Sequence, residues 1–517
     1  MDASEQRVEI SIALPVAAKG MIDKIYNLIS TNRAAEALPL LPALDTIGHE
    51  DPDALALTKG VILADIAEET DDPHLARQAI LLMSQLDANR LPETARRTHW
   101  YNLGNAYSTA FRLKRIPPGV PRALDDDFRH AKDAYQKSLT LGLAAPSGSE
   151  APLHTNYGSL LRKVGRHVEE IEAYDEALRQ RPNFGMGFWN KGKGLCWYST
   201  LIEQPYKRTA LLEARRLYRR AGEVGVEPGK ERRLGRDLGE LEDLLGGAPD
   251  AAHTPTQHAA DSGIEKQYIR FCVENRLYLH PCPAEAHEAY LDPLSVRFPI
   301  PDSKEASELI SEDLAQLKRE YATARFLLFS YRQKAPDFAF VDRGLFLPSR
   351  GRAEGSVYLQ FLSLGFRSAY SILDKIAYFL CRYCGMADKV RAVYLGEDFF
   401  LRNNRLRPEL NRYDGTQLAA LYDVSREFSE GQPLYRLRGL RNKLEHRCVS
   451  VQRQEGFGKN ELSGAQGHES FLPEFDLVED EFYQDTLRLF KAVRAAIFYV
   501  HYFVRKTATP SNPNSQG

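Results

Sequence analysis

Helical periodicity, repeated in self-similar units, is what most limits how this chain can fold. From about Gly20 to Gly246, apolar residues recur at three-and-four spacing with few strand-like alternations. Three units inside that stretch share offsets. Trp100, Leu103, Gly104 and Tyr107 open the first, and Ala131, Tyr135 and Ser138 continue it after an insertion holding Pro117, Pro118, Pro121 and Asp125 to Asp127. Tyr157, Gly158, Leu161, Gly165, Tyr174, Ala177 and Pro182 make the second, and Phe188, Gly192, Leu195, Ala214, Tyr218 and Ala221 the third. Small residues at Gly158 and Ala177 let two helices approach closely while Tyr174 fills the gap between them. Pro182 stops the unit because it has no N–H to continue the ladder. Gly60 with Ala76 and Ile80, and Ala34 to Leu41, read as degenerate units of the same kind.

The units resemble tetratricopeptide repeats, well over about residues 90 to 220 and loosely over 20 to 90. Glu170 departs from the small residue usual at its position, and the departure puts a regular superhelix in doubt. The resemblance implies a concave surface that binds a peptide or protein partner, so the first half is expected to be a sensor or scaffold.

A length of 517 residues calls for two or three domains. With 68 Lys+Arg against 70 Asp+Glu, the formal net charge is −2, so any nucleic-acid contact must be a local patch. Six cysteines, mostly isolated, do not form a disulfide framework and point to a reducing cytoplasm. The start of the chain lacks a basic region leading into an apolar run, so no signal peptide is expected. Ala495 to Val504 is about half the ~20 residues of a membrane span and contains His501, so no membrane partner is expected.

Residues 246–263, with Gly, Pro and Ala and no bulky apolar run, read as a linker in which His253 and His258 are solvated. The domain plan is 1–245 helical repeats, 246–263 linker, 264–506 a second helical domain with its core bundle at about 304–506, and 507–517 a disordered tail. After an irregular stretch from Tyr268 to Pro301, four helical patterns follow: Lys304 to Gln333, Glu354 to Cys384, Gln417 to Ser450 with a break near Gly431-Gln432-Pro433, and Glu479 to Val504. Four apolar-striped helices make an up-and-down bundle the natural outcome, with an insertion from Gly385 to Asp414. The predicted class is all-α throughout.

The third of these patterns holds Arg441-Asn442 followed by His446. Arginine grips phosphate through a planar fork and never loses its charge, and histidine suits proton transfer near neutral pH. Together they suffice to cleave a phosphodiester without a metal or other cofactor. The R-N-x-x-x-H string, in the third helix of a bundle, resembles the HEPN superfamily over roughly residues 300 to 506. In its nuclease members two protomers form the site, so the resemblance implies a homodimer. On a regular helix, residues five apart are rotated by about 140°, so Arg441 and His446 share a phosphate only if the helix begins near Arg441 or two copies meet.

The chemistry expected is attack of a ribose 2′-hydroxyl on the adjacent phosphate, leaving a 2′,3′-cyclic phosphate. His446 serves as acid or base, Arg441 stabilises the phosphorane, and Asn442 orients the histidine or the phosphate. The need for a 2′-hydroxyl makes the substrate RNA. Arg436, Arg438, Lys443 and Arg447 flank the motif, and Arg402, Arg405, Arg407 and Arg412 cluster in the insertion, as candidate RNA contacts with Tyr435 or Tyr413 for stacking. The plain alternative is a solvated face pairing with Glu427, Glu430 and Glu445. Asp374, amid apolar neighbours on the second helix, is a candidate to support the site, with an exposed ion pair as its other reading.

Cys381-x2-Cys384 has metal-ligand spacing without a matching second pair, so no metal is assigned. His501 sits in an aromatic run and reads as a packed histidine. The glycine-rich stretch Val451 to Leu477 is either a cover over the site or disordered. By the HEPN resemblance, fusions of this kind act as toxin-type or defence effectors. The alternative is a non-catalytic nucleotide-binding or dimerisation module on a repeat scaffold.

Overall fold

The computed structural model describes residues 16–31, 33–46, 52–116, 122–142, 150–227, 229–247, 263–280, 292–295, 303–334, 338, 340–342, 356–386, 393–403, 405–411, 413, 415–446, 450–452 and 476–508. The protein is all-α. Among the described residues, strands are confined to two short pairs: β1 (Leu401–Arg402) antiparallel to β2 (Arg405–Leu406), and β3 (Ser450–Gln452) parallel to β4 (Asp476–Val478). The chain divides into two compact units, residues 1–200 with 204–252, and residues 201–203 with 253–517. Most of the expected linker and tail, and most of the Val451 to Leu477 stretch, lie outside the described residues, as do His253 and His258.

The first unit begins with α1 (Val16–Ser30), α2 (Ala34–Ala37) and α3 (Ala43–Thr46). Four helical hairpins follow: α4 (Pro52–Thr70) with α5 (Pro73–Ser84), α6 (Glu93–Leu113) with α7 (Asp126–Gly142), α8 (Glu150–Arg162) with α9 (His167–Gln180), and α10 (Gly185–Tyr198) with α11 (Tyr206–Val224). A last helix, α12 (Glu231–Leu245), packs on α11 and ends at Gly246, whose φ of +59° suits glycine. Local chemistry sets the breaks. Asp72 caps α5 by accepting from the backbone N–H groups of His74 and Leu75, and Pro73 fills the first turn, where an N–H has no helical partner anyway.

One contact recurs from hairpin to hairpin. A Cβ on Gly104 would sit 2.7 Å from the Tyr135 ring, one on Gly158 2.8 Å from Tyr174, and one on Gly192 2.5 Å from Tyr218. Glycine on the first helix thus admits a tyrosine from the second. Glu170, the departure in the second unit, is fully buried, accepting from Arg162 and lying 2.6 Å from His167 Nδ1. Burial by itself would raise its carboxyl pKa, but Arg162 and His167 hold it below the ordinary value. A charge replaces a methyl group here because its counter-charges come with it.

The second unit contains α13 (Gly263–Glu274), α14 (Lys304–Gln333), α15 (Val357–Tyr383), α16 (Glu397–Phe400), α17 (Gly415–Arg426), α18 (Tyr435–His446) and α19 (Glu479–Ala508). Ser303 and Ser356 cap α14 and α15. Helices α14 and α15 pack side by side, α19 lies against α14, α15 and α17, and α18 rests on α15. Tyr321 meets Phe490 and Phe366 meets Phe482 in the core, with ring centroids 5.8 and 5.7 Å apart. The third helical region is divided at Gly431, with φ of +77°, so that α17 and α18 are separate helices.

Two charged side chains in this unit are structural. Arg494 is fully buried and donates to the carbonyls of Tyr278 and His280 at 2.6 and 2.7 Å, anchoring the stretch that precedes α14. Arg325 does the same for Leu277 and pairs with Asp292 at 2.7 Å. His501 is fully buried with Nδ1 2.7 Å from the Ile497 carbonyl, so that nitrogen carries the proton. No helix among the described residues is long and apolar enough to cross a membrane.

Candidate active site

Helix α18 carries the motif and buries Leu437 and Leu440 toward the bundle, leaving its polar residues on the remaining arc. It runs unbroken from Tyr435 to His446, so the helix does not begin near Arg441. Arg441 and His446 are therefore about 140° apart around one axis. Arg441 lies mid-helix, while His446 is the exposed last residue.

Two pairs tie α18 to α15. Arg441 Nη2 lies 3.5 Å from Asp374 Oδ2, and Arg367 makes a bidentate pair with Glu445 at 3.1 and 3.0 Å. Arg367 and Asp374 are seven apart on α15, and Glu445 and Arg441 four apart on α18, so the two helices run antiparallel here. Arg441 also donates from Nη1 to Asn442 Oδ1 at 3.1 Å and has its guanidinium 5.9 Å from the Tyr370 ring centre. Its fork is thus aimed by a carboxylate, an amide and a ring.

The electrostatics follow from burial. Asp374 is half-buried, and loss of water raises its carboxyl pKa while the Arg441 charge opposes the rise. Burial pushes the Tyr370 phenol up to about 12, helped by Asp374 and resisted by Arg438 and Arg441. Glu445 is held below its ordinary value, chiefly by the hydrogen bonds from Arg367.

The flanking basic residues divide by partner. Arg436 pairs with Glu481 at 3.1 Å and Asp485 at 3.3 Å, both on α19, and Arg438 lies 4.9 Å from the Tyr394 ring centre. The acids expected for these arginines were nearby in sequence. Those observed for Arg436 belong to another helix, and Glu445 is taken by Arg367. Lys443 is half-buried on α18. Arg405 is exposed on β2, whereas Arg407 spends its guanidinium on the carbonyls of Phe399 and Asp398 at 2.8 and 2.9 Å, which bends the insertion back on itself. Arg447 and Arg412 lie outside the described residues. Cys381 and Cys384 are buried and not joined in a disulfide, and among the described residues no group of three or more His, Cys, Asp or Glu converges.

Arg367 is the site residue that sequence reading missed. Its position one helical turn before Tyr370 and two before Asp374 was the available signal.

An all-α bundle with Arg-Asn-x3-His on its third helical region, backed by an acid from the second helix, defines a class of helical domain. Residues 304–507 match the family described as LA2681-like HEPN. The match spans α14 to α19, and the HEPN resemblance of the C-terminal region holds over that range. It does not extend into the N-terminal hairpins. No curated protein matches the chain.

Proposed function

We propose that the protein is a metal-independent endoribonuclease of HEPN type, regulated through its N-terminal helical hairpins as a toxin-type or defence effector. The observation that carries this reading is the fork of Arg441, aimed by Asp374 and Asn442 on a helix that also ends in an exposed His446. Because the two charged groups diverge on one helix, the site is assembled by two copies, Arg441 from one protomer and His446 from its partner. The 2′-hydroxyl attacks the adjacent phosphorus, His446 relays the proton, and Arg441 stabilises the equatorial oxygens of the phosphorane. The products are a 2′,3′-cyclic phosphate and a free 5′-hydroxyl. Arg438, Lys443 and Arg405 contact the RNA backbone, and the hairpins of the first unit, read as tetratricopeptide-like, receive a protein or peptide partner.

A second reading, a non-catalytic nucleotide-binding or dimerisation module, is favoured by the pairing of Arg441 with Asp374 within one chain. One experiment separates them. Purified protein is incubated in EDTA with a labelled structured RNA and with its DNA counterpart, beside Arg441→Ala and His446→Ala at matched oligomeric state. RNA-only cleavage with cyclic-phosphate ends, lost in both variants, supports the nuclease. Cleavage surviving in both variants sinks this site assignment.

A further inference from the structure

Between α14 and α15 runs an open groove of about 540 Å³, within the roughly 300–1,000 Å³ of small-molecule sites. Thr323 lines it from α14, Leu364, Ser368 and Ser371 from α15, and the Arg367–Glu445 pair joins it to the C-terminal end of α18. Ser371 precedes Asp374 by one helical turn, and Glu445 follows Arg441 by one turn. The groove therefore shares α15 with the candidate active site and meets α18 at Glu445.

Its lining argues for what it would hold. Both carboxylates in the wall are already matched, Glu320 by Lys375 and Glu445 by Arg367, and Arg319 donates to Gln316 Oε1 at 2.8 Å. With Arg319, Arg367 and Lys375 facing only Glu320 and Glu445, the wall keeps one surplus positive charge, on Arg319, which suits the phosphate that accompanies a nucleotide base. It also offers an apolar side chain, Leu364, that is 41% exposed, the hydroxyls of Ser368 and Ser371, and that of Thr323, which donates to the Arg319 carbonyl at 3.0 Å and can accept from a ligand. An apolar face with hydrogen-bonding groups at its edge suits a planar, uncharged heterocycle splayed out of a single strand.

We infer that this groove seats the unstacked base of a nucleotide next to the cleaved linkage, an assignment that rests on the ribonuclease reading above. Leu364 packs on the base, and Thr323, Ser368 and Ser371 bond its edge. The groove thereby gives the enzyme a base preference at one position beside the cut.

The test uses the full chain in EDTA and an RNA pool with a randomised single-stranded loop, and the cut ends are sequenced. Wild type is expected to prefer certain bases at one flanking position. The near-isosteric pair Thr323→Val with Ser371→Ala should weaken that preference by roughly five-fold or more, the low end of what a good base-edge contact discriminates. Ser368→Trp, which fills the groove, should lower cutting of every sequence. A preference unchanged in both variants overturns the inference, as does the absence of any preference. Loss of self-association in the variants with base preference intact also overturns it and gives the groove to a second copy.

A binding arm keeps the two readings apart. Affinity of the His446→Ala protein for short single-stranded RNAs of each base is measured with and without the groove substitutions. Base-dependent binding that the substitutions abolish, with no cleavage by wild type, retains the groove and removes the nuclease. Cleavage without base-dependent binding retains the nuclease and removes the groove.

Discussion

Arg441 and Glu170 show two uses of a charge held by protein groups. Arg441 keeps part of its fork open while Asp374 and Asn442 orient it, the arrangement wanted for a charge that develops only in a transition state. On the proposed ribonuclease reading, Arg441→Ala should lower single-turnover RNA cleavage about 10²–10³-fold. Arg441→Lys should recover little of this, because an ammonium has the charge without the planar fork. Glu170 is sealed in, and its value is visible only against its partners. Glu170→Ala leaves Arg162 and His167 without their acid and should cost about 3 kcal/mol in urea unfolding of the first unit. Adding Arg162→Met to that variant should restore most of the loss, because the unpaired charge goes too. If Glu170→Ala alone is neutral, the pair is not what permits a carboxylate there.

At the level of single helices, the glycine–tyrosine contacts and the last helix each make a prediction. Gly192→Ala brings a Cβ within 2.5 Å of the Tyr218 ring and 3.2 Å of the Ala214 carbonyl, so despite better helix propensity it should destabilise by about 1–3 kcal/mol. Gly235→Ala, on α12 with nothing within 4 Å, should stabilise by about 0.5–1 kcal/mol, and melting curves of the two variants decide the comparison. On α19, burial pushes His501 down to about 3, with Lys318 assisting and the Ile497 carbonyl opposing. A histidine kept neutral binds fewer protons folded than unfolded. Its contribution is complete above its ordinary value near 6.5 and is lost as pH falls toward about 3. His501→Phe should flatten the acid-side fall in melting temperature, and an identical pH profile would show that other groups govern it.

For the molecule as a whole, the angle of about 140° between Arg441 and His446 makes the proposed catalysis a question of assembly. If each site takes its arginine from one copy and its histidine from the other, mixing Arg441→Ala with His446→Ala protein forms a heterodimer with one intact site. Full exchange should then restore about a quarter of wild-type cleavage from two inactive stocks. No recovery after verified exchange would mean that both residues act from the same chain.

The four helical patterns of the second unit and the position of the Arg-Asn-x3-His string were legible in the sequence, as were the glycine–tyrosine offsets of the first. The helical patterns depend on residues within a few turns, where a spacing of three and four names a helix and the face it buries, and the glycine–tyrosine offsets on a unit that repeats along the chain. Tertiary structure alone decided which charges meet. Asp374 on α15 reaches Arg441 on α18, Glu481 and Asp485 on α19 reach Arg436, and Arg367 takes Glu445. It also buried Glu170 and Arg494 and opened the groove beside Glu445. The physical reason is that periodicity specifies which face of a helix turns inward, whereas ion pairs and cavities depend on the register between helices distant in the chain.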